Sequence, residues 1–317
     1  MTTYKRARHG VVMIGAAAVL ALTVAAPVTR AQRDPREQHA FATVVDKKGT
    51  PVAGLGAADF TVSEDGVKRE VLRVEPSAAP MQVALLVDTS DVVGNGSVHP
   101  SVTNDLRVGL AAFINAVFTS NSSNQMALYT FGERPTQVVD YASSPIPLLR
   151  AADSVFPVRG AGATFNDTIR DACQSLAKIS AKRAVIVAFV DENGPEYSTL
   201  DHVRIDEALQ ATRAALWAVT LPDRNAINRG VSNPLDLKAR DERTQILQDA
   251  TDKSGGENLQ VLATTALATT FNEVASLLGS QYDITYARPE SLVPPKRLNV
   301  TVSRPGTKLL APHWSGK

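Results

Sequence analysis

The side chains best suited to chemistry in this sequence are oxygen donors. In QVALLVDTSDVV, residues 82–93, the apolar run Val83–Val87 passes directly into Asp88, Thr89, Ser90 and Asp91. Two more segments share this character. GAGATFND, Gly160–Asp167, precedes a helical pattern, and DENG, Asp191–Gly194, follows the apolar run RAVIVAFV. Where these loops converge, Asp88, Ser90, Thr164 and Asp191 present two carboxylates and two hydroxyls. Such a hard, all-oxygen set suits Mg²⁺, or alternatively Mn²⁺ or Ca²⁺, with water completing the coordination.

Convergence depends on the elements that carry the loops. From Pro80 onward, apolar strands at Val83–Val87, Met126–Phe131, Arg183–Val190, Ala215–Leu221 and Glu257–Leu262 alternate with helical patterns. The helices are expected at Asn104–Phe118, Thr164–Ile179, Asp201–Arg213, Asp241–Ser254 and Thr264–Leu278. Continuous apolar strands alternating with helices specify an α/β fold, a doubly wound and mainly parallel six-stranded sheet covered on both faces. Gln137–Tyr141 follows its predecessor without a helix and is expected as an antiparallel edge strand. Ligands of such sheets bind at the carboxyl ends of the strands, where all three oxygen-rich loops lie.

Both ends of the chain read as β-structure. FATVVD and DFTVSEDGVKREVLRV alternate, and Asp65-Gly66 signals a hairpin. PSAAP, residues 76–80, reads as a linker, and QYDITY and RLNVTVSRPG alternate again after residue 280. With no helix between them, the terminal strands are expected to pair into a small β-module, with Tyr282, Ile284 and Tyr286 in its core or along a self-associating edge.

The strands and loops together resemble the von Willebrand factor type A domain. That family's metal-ion-dependent adhesion site is built from Asp-x-Ser-x-Ser, a distant Thr and a distant Asp. Here Asp88, Ser90, Thr164 and Asp191 match, while Val92 stands at the second serine position. The flanking pattern, VVDKKGTPVAGL before and QYDITY after, is similar to the secreted von Willebrand A-related proteins of Acidobacteria. The resemblance implies residues 80–280 as the domain, flanked by β-strands at 40–76 and 281–317. It implies a non-enzymatic adhesion module whose cation keeps an open position for an acidic side chain of a protein partner. Asp88, Ser90 and Thr164 would ligate the ion directly and Asp191 through water, and Asp88→Ala should abolish metal and partner binding while leaving the fold intact. Val92 offers no oxygen and weakens the site. Another reading is a metal-independent structural or scaffolding protein with a degenerate metal site.

Plainer roles compete at each position. Asp88 and Asp191 could simply accept backbone N–H groups in their loops, and Thr164-Phe165-Asn166-Asp167 resembles a capping box. RGAGAT lacks a following Gly-Lys-Ser/Thr, so it is not a phosphate loop. The five histidines are scattered without zinc-ligand spacing, and no Gly-x-Ser-x-Gly elbow occurs. The charge-rich Asn233–Arg243 reads as a solvated loop leading into a helix.

The composition is consistent with these limits. At 317 residues and net charge +1, the chain has ample core material but no field that recruits nucleic acid. Cys173, the single cysteine, forbids an internal disulfide and is expected to be buried. Residues 1–31 read as a signal peptide: Lys5, Arg6 and Arg8, the apolar run Val11–Ala26, then Thr29-Arg30-Ala31 as the cleavage site. The apolar run is short for a membrane span, which favours export to the periplasm or the exterior over an uncleaved anchor.

Overall fold

Alternation along the apolar strands sets the layers. Val83, Leu85 and Val87 bury into one hydrophobic cluster, while Ala84 and Leu86 bury into another on the opposite face. Val185, Val187 and Phe189 against Ile186, Ala188 and Val190 repeat the division two-sidedly. Strands buried on both faces must be covered by helices on both faces. The computed structural model describes residues 37–91, 102–223, 234–289 and 295–314. The assigned signal segment, residues 1–31, and Val92 lie outside the described residues.

The central sheet has six strands in the order β10 (Asn258–Gln260), β9 (Ala215–Leu221), β8 (Ala184–Asp191), β5 (Gln82–Val87), β6 (Gln125–Thr130) and β7 (Thr136–Ala142). All neighbours are parallel except β6 and β7, so the antiparallel edge is observed. Helix α1 (Val102–Ser120), α2 (Pro145–Asp153) and α7 (Leu267–Gly279) contribute to the first cluster. Helix α3 (Phe165–Lys178), α4 (His202–Thr212) and the region from α5 (Pro234–Gln245) through a π-turn (Ile246–Ala250) to α6 (Thr251–Ser254) contribute to the second. On α1, Leu106, Leu110, Phe113 and Val117 recur at helical spacing, and Phe113 meets Phe271 of α7 with ring centroids 5.8 Å apart.

Two helical segments depart from the sequence expectation. Helix α2 is additional to the helices expected from the pattern, and Ser144 caps it by accepting the Ile146 N–H at 3.4 Å while Pro145 opens it. Helix α5 begins at Pro234, so residues 234–243 of the charge-rich run are helical rather than a solvated loop. Asp236 and Arg240 pair at 3.1 Å four residues apart, which supports that helix, and Arg243 turns inward and is buried. Cys173 is buried, as expected. Among the described residues no helix is long and apolar enough to cross a membrane.

The terminal segments form the small antiparallel module, divided between two sheets. One has the order β13 (Thr307–Leu310), β1 (Glu37–Asp46), β11 (Tyr282–Ala287), β4 (Val71–Pro76); the other is β12 (Leu298–Val302), β2 (Phe60–Glu64), β3 (Val67–Arg69). Tyr282, Ile284 and Tyr286 lie in its buried core with Phe60, Val62 and Val300, not on a sticky edge. The Asp65-Gly66 hairpin is present, and both residues have positive φ, 48° and 82°, as a type I′ turn requires.

Candidate functional site

Register brings the candidate residues to one edge. Val87 lies opposite Thr130 on one side and Phe189 on the other, so Asp88 and Asp191 leave adjacent strands at nearly the same height. The Asp88 N–H donates to the Phe189 carbonyl at 3.1 Å. The Asp88 carboxylate accepts the Ser90 N–H on Oδ1 at 2.8 Å and the Asp191 N–H on Oδ2 at 3.0 Å. Asp191 Oδ1 in turn accepts the backbone N–H of Asn193 at 3.1 Å and its amide at 2.8 Å. Asp88, Ser90 and Asp191 are all fully buried.

The third loop is tied in through backbone bonds. Val158 N–H donates to Thr89 O at 2.7 Å, and Asp91 N–H donates to Ala161 O at 2.9 Å. Ala163 N–H donates to Pro195 O at 2.8 Å and Tyr197 N–H returns to Ala163 O at 2.7 Å, joining the loop between α2 and α3 to the loop after β8. Thr164 is buried, and its N–H (3.0 Å) and hydroxyl (3.4 Å) both donate to Phe131 O. The Thr89 hydroxyl accepts the Gly132 N–H at 3.0 Å. A Cβ at Gly132 would sit 2.7 Å from Thr89 O, inside contact distance. Gly132→Ala is therefore expected to push the Thr89 loop away and cost about 1–3 kcal/mol. Thermal unfolding checks this, and an unchanged Tm would show that the loop yields freely.

Thr164 stands at the N-cap of α3, but its side chain makes no capping bond. That task falls to a loop the sequence did not single out. Glu196 Oε1 accepts the Phe165 N–H at 3.1 Å, and the Ser198 hydroxyl accepts the Asn166 N–H at 2.9 Å. Asp167, the would-be partner in a capping box, instead accepts the N–H groups of Thr199 (3.2 Å) and Leu200 (3.1 Å). Glu196 is fully buried, accepts the Ser198 hydroxyl at 2.6 Å, and pairs with buried Arg243 at 3.5 Å. Neither Glu196 nor Arg243 carries a local sequence signal for this role. Beside Glu196 a groove of about 420 Å³ opens, lined by Tyr197, Leu200, Leu235, Asp236, Ala239 and Glu242.

Electrostatics distinguishes this edge. Burial pushes the Asp88 carboxyl up to about 6; hydrogen bonds from Ser90 and Asp191 oppose the shift, and the Asp191 charge adds to it. Burial likewise pushes Glu196 up to about 7, against the attraction of Arg243. Two neighbouring carboxylates in a dry site favour a cation, and the buried Ser90 hydroxyl stands beside Asp88 without completing a hydrogen bond of good geometry. Among the described residues no three His, Cys, Asp or Glu side chains gather into a metal cage. The oxygen donors Asp88, Ser90 and Asp191 suit a hard divalent ion held by few protein oxygens and by water. The same geometry revises the expected outcome of Asp88→Ala. Removing the carboxylate leaves two buried N–H donors, of Ser90 and Asp191, without an acceptor, at about 1–3 kcal/mol each, so alanine disturbs the fold as well as the site.

With this geometry established, comparison with known proteins identifies the segment. Residues 83–194 match the von Willebrand factor type A domain family. No curated protein matches the chain. Among solved structures, proximal thread matrix protein 1 from the mussel byssus, with a zinc-occupied MIDAS motif, is 14% identical with a TM-score of 0.50. That match covers 68% of this chain but only 50% of the mussel protein, and it shows the fold. A von Willebrand factor type A protein from Catenulispora acidiphila is 11% identical over 87% of this chain and 73% of that one, with a TM-score of 0.46. The SpRpn10 VWA domain is 19% identical over 61% of this chain and 95% of its own, with a TM-score of 0.42.

Proposed function

We propose, from the von Willebrand factor type A domain that residues 83–194 constitute, that this chain is a secreted, non-enzymatic protein-binding module. Such domains commonly serve protein interaction and metal-dependent adhesion rather than catalysis. In this reading Asp88, Ser90 and Thr164 hold a divalent cation, Mg²⁺ or alternatively Mn²⁺ or Ca²⁺, and Asp191 acts through water. The cation supplies an electrophilic open position for a carboxylate of the partner. The protein's own groups orient the ligand oxygens and keep bulk water out. The observation that carries the reading is the buried Ser90 hydroxyl beside the Asp88 carboxylate, at an edge where Asp191 adds a second negative charge.

A protein partner is supported by the apolar side chains flanking this edge. Phe156 (65% exposed) and Val158 (41%) lie on the loop bonded to Thr89, and Tyr197 (55%) and Leu235 (77%) border the groove beside Glu196. Secretion rests on the signal-like residues 1–31, and the domain limits 80–280, with flanking strands at 40–76 and 281–317, are part of the same proposal. The pattern around the domain supports kinship with the secreted von Willebrand A-related proteins of Acidobacteria.

Isothermal titration of Mg²⁺ and Mn²⁺ into the EDTA-stripped protein tests the metal. Binding is expected in the native chain, loss of it in Asp88→Asn, and a gain of about tenfold, ~1.4 kcal/mol, in Val92→Ser, which restores an oxygen. Binding by the Val92→Ser variant alone would favour the second reading, a metal-independent scaffold with a degenerate site.

A further inference from the structure

The buried Glu64 carboxylate, at the end of β2, faces more positive charge than it can neutralise. Arg69 Nε donates to Oε2 at 3.1 Å, the Arg288 Nε lies 3.7 Å from Oε2, and an Arg213 nitrogen lies 3.7 Å from Oε1. The Tyr286 hydroxyl donates to Oε1 at 2.8 Å. Among the described residues Glu64 is the sole acidic partner of each of these arginines. One carboxylate against three guanidiniums leaves an excess of two positive charges. Among the described residues Arg213 and Arg288 stand at ion-pair distance from Glu64 without a direct hydrogen bond to it, and Arg213 also meets the Tyr286 hydroxyl.

The placement is specific. The type I′ turn at Asp65-Gly66 sets Glu64 and Arg69 on adjoining strands. Arg288 directly follows β11, and Arg213 is the C-cap of α4 in the left-handed region, φ 54°, where glycine is the favoured residue. The guanidinium-bearing side chain thus stands at a backbone position that disfavours any residue but glycine. The three arginine side chains are partly open, at 20%, 34% and 15% exposure.

We propose that Arg69, Arg213 and Arg288 form a binding site for a tetrahedral oxyanion, a phosphate or sulfate group, with Glu64 as the anchor that spaces them. Forked guanidinium donors match the paired oxygens of such a group, and its near-dianionic charge balances the excess. Because Arg213 comes from the α/β layers and the other two from the β-module, the ligand bridges them and should raise thermal stability.

The test is titration of inorganic phosphate, sulfate and glycerol phosphate into the full chain in EDTA, at ionic strength fixed with chloride, read by calorimetry and Tm. Phosphate-specific heat and a Tm rise are expected, with Arg213→Met and Arg288→Met each weakening binding at least about tenfold and Arg213→Lys weakening it less. Tighter binding of glycerol phosphate than of phosphate assigns the oxyanion to a larger molecule, and equal binding assigns it to the free ion. Absence of binding, or a response unchanged in both folded methionine variants, overturns the site. Circular dichroism of each variant confirms folding, and Arg288→Met serves alone if Arg213→Met does not fold.

Discussion

Glu196→Ala is expected to cost about 3–5 kcal/mol, the range for breaking one side of a buried ion pair. Among the described residues the variant leaves Arg243, whose side chain is 4% exposed, with the Glu192 carbonyl at 3.0 Å as its remaining hydrogen-bond acceptor and the more distant Glu192 carboxylate as its counter-charge. It also removes the acceptor of the Phe165 N–H, the Ser198 N–H and the Ser198 hydroxyl. A term opposes these losses: the carboxyl is pushed up to about 7 by burial, so its own ionisation is costly near neutrality. The paired charge and the three accepted bonds outweigh that term, because alanine supplies none of them. For a domain of this size each kcal/mol moves Tm by about 2–4 °C, so a fall of about 10 °C is expected in a thermal scan. Glu196→Gln should lose less, since an amide oxygen still accepts. The double variant Glu196→Ala, Arg243→Met should recover part of the loss, since the stranded charge is gone. A coupling below about 0.5 kcal/mol in that cycle would show that the pair does not act as a unit. Loosening the start of α3 also frees Thr164, so divalent affinity should fall in Glu196→Ala.

The Glu196–Arg243 pair shows where sequence reading stops. The oxygen cluster at Asp88 was legible because it interrupts an unbroken apolar strand, and the convergence of its loops followed from the βα alternation. Nothing local marks Glu196: it lies in a polar loop, ENGPEYSTLD, that reads as solvent-facing. Its partner is 47 residues away, in a charge-rich run that binary patterning places outside. Pro234 and the Asp236–Arg240 spacing were signals for helix α5, but no periodicity says that one arginine of an exposed-looking face turns inward. The cap of α3 failed for the same reason. The helix start at Thr164 was correct, while its N–H groups are satisfied from another loop, which spacing along one segment does not reveal. At the chain ends, alternation identified strands and their common core, but not their division between two sheets, because a period of two does not choose a partner.

Without divalent cations the protein should become less stable as pH rises from about 4 to about 7, the reverse of ordinary acid sensitivity. An unfolded aspartate titrates near 3.9, whereas burial in the fold pushes Asp88 up to about 6. Between those values the folded chain holds the extra proton, so raising pH withdraws stability, up to about 3 kcal/mol at 1.36 kcal/mol per unit. Glu196, pushed up to about 7, acts in the same direction and extends the window upward. A bound cation inverts the balance for Asp88, because it favours the ionised carboxylate and must displace the proton. Stabilisation by metal should therefore be small near pH 5 and grow through pH 7.5, reaching about 2.7 kcal/mol where the free ion stands at a hundred times its Kd. Paired Tm measurements in Mg²⁺ and in EDTA across that range give the answer directly. Asp88→Asn, neutral at every pH, should abolish the gap between the two curves and remove about half of the metal-free slope, leaving the part that Glu196 supplies. Its baseline Tm should also be lower, since an amide nitrogen then faces one of the N–H groups that Ser90 and Asp191 direct at the carboxylate. Curves that coincide at every pH would remove the cation from the proposal, while a metal-free Tm that rises through this window would show that Asp88 is not held dry.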